Sequence, residues 1–382
     1  MQKKRLVVCF DGTWNNADRG GSETNVSILA RSVQANSGGD GVPQLTLYLR
    51  GVGSTGNAIR RLLDGATGDG LDDNILSAYM FLAQNYVPAE DGRGADEIFL
   101  FGFSRGAFTA RSLCGMIGAC GLLKRQDLDR IADAWSFYRN ERAATRRPEV
   151  FRQKHEVEAH RDVAISFLGV WDTVGSLGIP SSLIGSFVND GYEFHDTTPS
   201  RIVRRARHAL ATDEHRDEFI PTFWTHPAPD GADIGQVWFA GVHSDVGGGY
   251  ANRTLADIPL LWMADEAREA GLKLDADVLP RPGDLDCLAP QHESRKGYSS
   301  KDYFTPTFRR ILEHDVDAAF NEAVYVPRDR RRKVLATINE SIHPSLKLRF
   351  GRPVRTLSAE NKVVRDAVYH PKNLAPALDA EG

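Results

Sequence analysis

EIFLFGFSRGAFTAR, residues 97–111, holds an apolar run at 98–101, then Gly102, Ser104 and the small residues Gly106 and Ala107. A short continuous apolar run predicts a buried strand, and the small residues from Ala107 to about Cys120 predict a helix directly behind it. Gly102-Phe103-Ser104-Arg105-Gly106 fits G-x-S-x-G, in which the serine sits on a sharp strand-to-helix turn. Bulk is excluded two residues to either side, so Gly102 and Gly106 support the turn. The turn lifts the hydroxyl clear of the sheet and points the first helical N–H groups at a developing oxyanion. A glycine-punctuated turn with no chemistry has the same local pattern, so the serine's partners must be sought elsewhere in the chain.

Working outward, residues 6–10 (LVVCF) read as a buried strand bounded by the turn-rich DGTWNNADRGGS. Residues 25–35 have helical spacing, QLTLYLRGVGS reads as a strand ending at Gly51, and GDGLDDNILSAYMFLAQNYV reads as a helix with an acidic start. DVAISFLGVWDTVGSLG is a buried strand breaking at Asp172, and IGQVWFAGVHSDVGGGY is another that runs into a glycine-rich loop. Between them, TPSRIVRRARHALATDEHRDEF predicts an amphipathic helix with a basic face. LADIPLLWMADEAREAGL predicts a helix ending at Gly271. Apolar strands alternating with helices predict an α/β fold, a mostly parallel central sheet with helices on both faces. Beyond residue 271 the chain turns rich in proline, charge and turn residues. Residues 1–271 are therefore expected to form the catalytic domain, and 272–382 a cap or peripheral extension packed on it.

A serine nucleophile needs a base and an orienting acid. All eleven histidines follow Ser104, so local context does the sorting. His195, His208, His215, His226, His292 and His314 lie in polar or helical surroundings and read as surface residues, and His343 and His370 each precede a proline. His243 ends the strand QVWFAGV, where a parallel sheet presents catalytic groups, and is the expected base. Asp172 also ends a buried strand and comes between Ser104 and His243, which makes it the favoured acid. Asp245 is the first alternative, with a second reading as a brace for its loop, and Asp213, beside Glu214, is a weaker one. The oxyanion hole is expected from the N–H of Arg105 and that of Gly12 or Thr13, with Asp11 holding the FDGTWN loop.

A net charge of −4 supplies no basic field for nucleic acid, and RDRRRK at 328–333 reads as a solvated face. Cys9, Cys114, Cys120 and Cys287 are too few and scattered for a disulfide framework or a zinc site, Cys9 reading as a buried thiol. There is no P-loop, and DVGGGYANRT is a weak phosphate nest, so no cofactor or metal is expected. The apolar part of MQKKRLVVCF is shorter than a signal core, and no stretch has the length of a membrane span. Cytoplasmic placement is the expectation, with signal-peptide-independent secretion left open.

VVCFDGTW invites a second class, because haloacid-dehalogenase-type phosphatases open with an apolar strand running into D-x-D-G-T. Cys9 stands at the first aspartate position, and a thiol is a poor magnesium ligand, which leaves Asp11 alone. A third class is a non-catalytic binding module on a hydrolase fold. Against both, CFDGTWNN, LRGVGS, GFSRGAFTARSLCGMI, GVWDTVGS, HALATDEHRDEF and FAGVHSDVGGGY follow one another in the order of a known group. The chain resembles the bacterial and fungal α/β-hydrolase family that includes the catalytic domains of type VI secretion phospholipase effectors, over roughly residues 5–264. IHPSLKLRF and YHPKNLAP look like its closing segments. The resemblance implies an α/β-hydrolase with a Ser104–Asp172–His243 triad, an ester or lipid substrate and peripheral membrane contact. Arg50 departs from the acidic residue expected in the GVG segment, and this chain is shorter than the effectors.

Overall fold

The computed structural model describes residues 2–12, 22–35, 40–51, 69–90, 94–140, 146–175, 198–295, 306–313, 323–329 and 332–379. Seven strands among them form one sheet: β1 (Arg5–Phe10), β2 (Gln44–Leu49), β3 (Glu97–Phe103), β4 (Ile165–Trp171), β5 (Arg205–Ala211), β6 (Asp233–Phe239) and β7 (Glu340–Ile342). Their order is β7-β6-β5-β4-β3-β1-β2, and every neighbouring pair is parallel. Parallel neighbours need crossovers, and the helices that supply them cover both faces.

Alternation along β1 divides the core in two. Leu6, Val8 and Phe10 point to one face, where they pack with α2 (Asp69–Asn85), α3 (Arg105–Cys120), α4 (Ile131–Asn140) and α5 (Pro148–His155). Val7 and Cys9 point to the other, against α1 (Asn25–Ser32) and α7 (Asp257–Glu269), which follows the single-turn helix α6 (His243–Gly247). Strands buried on both sides have no polar phase, which is why they read as unbroken apolar runs.

Two segments differ from their sequence expectation, one being HSDVG, read as part of a glycine-rich loop, which forms the single-turn helix α6. The other, the RIVRRARHALA stretch, predicted as a basic amphipathic helix, contains β5. Its arginines alternate with buried residues instead of lining a helical stripe: Arg205 and Arg207 pair with Asp233, Glu266 and Glu269, while Ala206 and His208 face inward. His208 is fully buried, not on the surface. Its Nε2 accepts the Thr173 N–H at 3.0 Å, and burial pushes its imidazole down to about 3. Tertiary pairing has overridden the helical propensity of the alanines.

The region after residue 271 takes part in the central sheet. β7 extends the sheet beside β6, and a short strand, Gln291–His292, pairs with Pro353–Leu357 in a separate small sheet.

The ends of β1, β3, β4, β5 and β6 lie within a few residues of one another. Phe10 sits opposite Gly102, Phe103 opposite Trp171, Trp171 opposite Ala209, and Ala211 opposite Phe239. The ladder runs on for one more residue, with Ser104 N–H bonded to Trp171 O, Asp172 N–H to Ala209 O and Thr212 N–H to Phe239 O. By this register Ser104 lies opposite Asp172 at the carboxyl edge, with Asp11 one position short of Ser104 and Thr212 two positions further out.

Helix α1 props this edge. Asn25, with no exposure, donates its Nδ2 to Val246 O and Ala256 O at 2.9 Å each, and its Oδ1 accepts from Arg253. Asn25→Ala removes two hydrogen bonds to buried carbonyls and one of the acceptors of the Arg253 guanidinium, which keeps Asp257 and Glu23 O. It is expected to lower unfolding free energy by at least about 1–3 kcal/mol, measured by urea denaturation; an unchanged midpoint would show that α1 does not support α6.

Candidate active site

Ser104 stands between β3 and α3 with φ 58° and ψ −123°, a conformation in which a serine is strained. The reason for the flanking glycines is geometric. A Cβ at Gly102 would lie 2.5 Å from Gly106 O, and one at Gly106 would lie 2.2 Å from Phe10 O. α3 thus starts hard against the ends of β3 and β1, and the strained serine is what that fit leaves. Its N–H groups open at Arg105, and the first N–H groups of a helix lack intrahelical acceptors.

His243 begins α6, just past β6. Asp245, three residues along α6 from its cap Val242, accepts the Val242 N–H at 3.1 Å and fixes that turn. His243 Nδ1 meets Asp172 Oδ2 at 2.6 Å. An ionised carboxylate only accepts, so Nδ1 carries the proton and Nε2 keeps a lone pair. The ring lies between Phe103 and Phe219, at centroid distances of 4.6 and 4.8 Å. Phe103 directly precedes Ser104, so the imidazole packs on the residue next to the serine.

Asp172 has zero exposure and a positive φ of 37°. Besides His243 it receives the Ala211 N–H at 3.0 Å and both Nη groups of Arg309, at 2.6 and 3.0 Å. Burial works to raise its carboxyl, but the Arg309 guanidinium and the His243 ring overturn that and hold it well below the usual carboxylate range. Burial lowers His243 below an ordinary histidine, against the opposing pull of Asp172. The pair therefore stays as carboxylate and neutral imidazole at neutral pH.

The other acids have separate work. Asp245 pairs with His292 Nδ1 at 2.6 Å and bonds its N–H, so it braces α6 rather than reaching His243. His292, expected on the surface, is buried and stacks on Tyr250 at 3.8 Å. Asp213 accepts from Gly241 N–H and Tyr369 Oη. Glu214 accepts the His243 backbone N–H at 3.2 Å, and Arg216 keeps its carboxylate down at about 2 against burial.

At the first loop, the Gly12 N–H donates to Asp11 Oδ1 at 2.7 Å, so its neighbour's carboxylate occupies the proton expected to face an oxyanion. Thr13 lies outside the described residues, as do His195 and His314. Asp11 accepts from Gly12 N–H and from Tyr48 Oη, and burial pushes its carboxyl up to about 6. Arg309, 2% exposed, was not among the residues singled out from the sequence, and nothing local to it points to Asp172. A cavity of about 400 Å³ opens beside α3 among Arg111, Gly115, Tyr138 and Trp224, and none of Ser104, Asp172 and His243 lines it.

Residues 4–266 match the family model described as the type VI secretion system phospholipase effector Tle1-like catalytic domain. The chain belongs to this Tle1-like family. An uncharacterised protein of Saccharomyces cerevisiae is 32% identical over 252 residues, covering 59% of this chain and 33% of that protein. Among solved structures, an uncharacterised Pseudomonas aeruginosa protein matches at 18% identity and TM-score 0.43, over 74% of this chain and 48% of that one. The Tle1 effector bound to the VgrG spike matches at 19% and 0.36, over 65% and 51%. The chain thus spans about a third of the yeast relative and about half of each solved structure. Like this Tle1-like membership, the parallel sheet with helices on both faces agrees with the α/β-hydrolase expectation.

The glycine geometry can be tested against a control. Gly106→Ala is expected to destabilise by about 1–3 kcal/mol, whereas Gly175→Ala, with no described residue within 4 Å of its Cβ, stays near wild type. Equal melting temperatures for the two variants would contradict the close approach of α3 to β1.

Proposed function

We propose that the chain is a lipid-ester hydrolase that works through an acyl-enzyme on Ser104. The observation carrying this reading is the 2.6 Å contact of His243 Nδ1 with Asp172, on the same sheet edge as a strained serine. His243 Nε2 takes the Ser104 proton as Oγ attacks the ester carbonyl. Asp172 holds the ring in the tautomer that leaves Nε2 free to accept and stabilises the imidazolium that forms. The Arg105 N–H is the first oxyanion donor; with Gly12 occupied, Thr13 is the proposed second. His243 then gives its proton to the leaving alcohol and activates the water that releases the acid. A phospholipid substrate follows from the Tle1-like family and entails contact with a membrane surface. Among the described residues no helix is long and apolar enough to cross one.

A fluorophosphonate probe and a panel of phospholipid vesicles and p-nitrophenyl esters test the chemistry. Ser104→Ala is expected to abolish labelling and cut turnover by about 10³-fold or more, and Asp172→Asn by about 10⁴-fold. Labelling that persists in Ser104→Ala removes the nucleophile. A wild type that neither labels nor turns over leaves a binding module.

The pH profile follows from His243. The base works only when neutral, and a lowered imidazole pKa keeps it neutral further into acid. The acid limb of kcat/KM is therefore expected below the ordinary histidine value of about 6.5. A limb at or above that value would contradict the buried setting of the ring.

A further inference from the structure

Arg309 is buried in a short strand, Thr307–Arg309, far along the chain from the residues it touches. Its Nη1 donates to Asp172 Oδ1 at 2.6 Å and Ala211 O at 2.7 Å. Its Nη2 donates to Asp172 Oδ2 at 3.0 Å and Phe219 O at 2.6 Å. The strand is itself tied down, by Thr307 N–H to His215 O and by Asn373 Nδ2 to Arg309 O. One side chain thus grips both oxygens of the acid, the end of β5 and the loop carrying Phe219, which packs on the His243 ring.

We propose that Arg309 is a positioning residue for the triad: it fixes the Asp172 carboxylate and damps the negative charge that Asp172 presents to His243, so that the C-terminal part of the chain sets the working range of the base. This rests on the hydrolase reading above. The decisive detail is that Asp172 Oδ2 accepts from His243 Nδ1 and from Arg309 Nη2 at once. A guanidinium on that oxygen draws down the charge that would otherwise favour imidazolium. With Asp172 and Arg309 almost wholly out of water, the effect is weakly screened.

Among the described residues, the other charged groups around His243 have partners of their own. Glu214, on its backbone N–H, is paired with Arg216, which lies over Phe219. Asp213 is engaged with Gly241 and Tyr369, and Asp245, on the same helix, with His292. Arg309 is the cation in direct contact with the acid that holds the ring.

Arg309→Met and Arg309→Lys separate charge from shape. The readouts are kcat and KM for a p-nitrophenyl ester, and the fluorophosphonate labelling rate, each across pH, on variants whose folding is checked by circular dichroism. Arg309→Met is expected to lose about 10- to 100-fold in kcat with little change in KM. Its acid limb moves to higher pH, because the unneutralised carboxylate favours imidazolium. Arg309→Lys keeps the charge but not the two-pronged hold, so its limb stays near wild type while kcat falls. A folded Met variant with its limb unmoved overturns the proposal, since a merely structural arginine would change stability alone. If the Met variant does not fold, the Lys variant decides: lowered kcat with a wild-type limb supports the proposal, and wild-type kcat overturns it. Failure of the hydrolase reading is visible separately, as a wild type with no Ser104-dependent labelling at any pH.

Discussion

A carboxylate cut off from water must receive its hydrogen bonds from the protein, and Asp172 receives four. An ionised group in that setting is tolerable only when paired and saturated. Each donor reaches it from a different part of the chain. Ala211 ends β5, His243 starts the helix after β6, and Arg309 belongs to a strand nearly 140 residues further on. Meeting the needs of one buried group thus draws together the central strands and the C-terminal region.

The sheet makes this convergence inexpensive. Because β3, β4, β5 and β6 run parallel and finish within two residues of one another, the segments that follow the strands arrive at one edge without any long loop having to find it. Two of the eight non-glycine residues with positive φ among the described residues, Ser104 and Asp172, lie opposite each other at that edge. Strain persists only where its surroundings over-determine it. At Ser104 they do so through Gly102 and Gly106, where a β-carbon would run into backbone. At Asp172 they do so through the four bonds to its carboxylate.

What was legible in the sequence, and what was not, follows from how far apart the interacting residues lie. Ser104, Asp172 and His243 each mark the point where an apolar run stops, which is a local signal, and the fold class followed from the same runs. β5 misled because alanine and arginine at 201–211 satisfy a helical pattern when taken alone. Only its pairing with β4 and β6 selects the extended form, in which His208 turns inward to meet Thr173. His292 was read as surface, and Arg309 was passed over, for a related reason. A charged or polar residue is expected outside unless its partner is known, and here the partners are 47 and 137 positions away.

The region after residue 271 accordingly has more than a covering part. It lengthens the central sheet through β7, braces α6 through His292, and neutralises the acid through Arg309. These are three contacts with the machinery around His243, made from three separate segments. Removing one partner of a buried ion pair is far more damaging than never having formed it, because the other charge is left stranded. Asp172 without Arg309 would be such a charge, held against His243 alone. The carboxyl edge and the C-terminal region therefore stand or fall together: once folding has committed Asp172 to the interior, its charge is balanced only when Arg309 is seated.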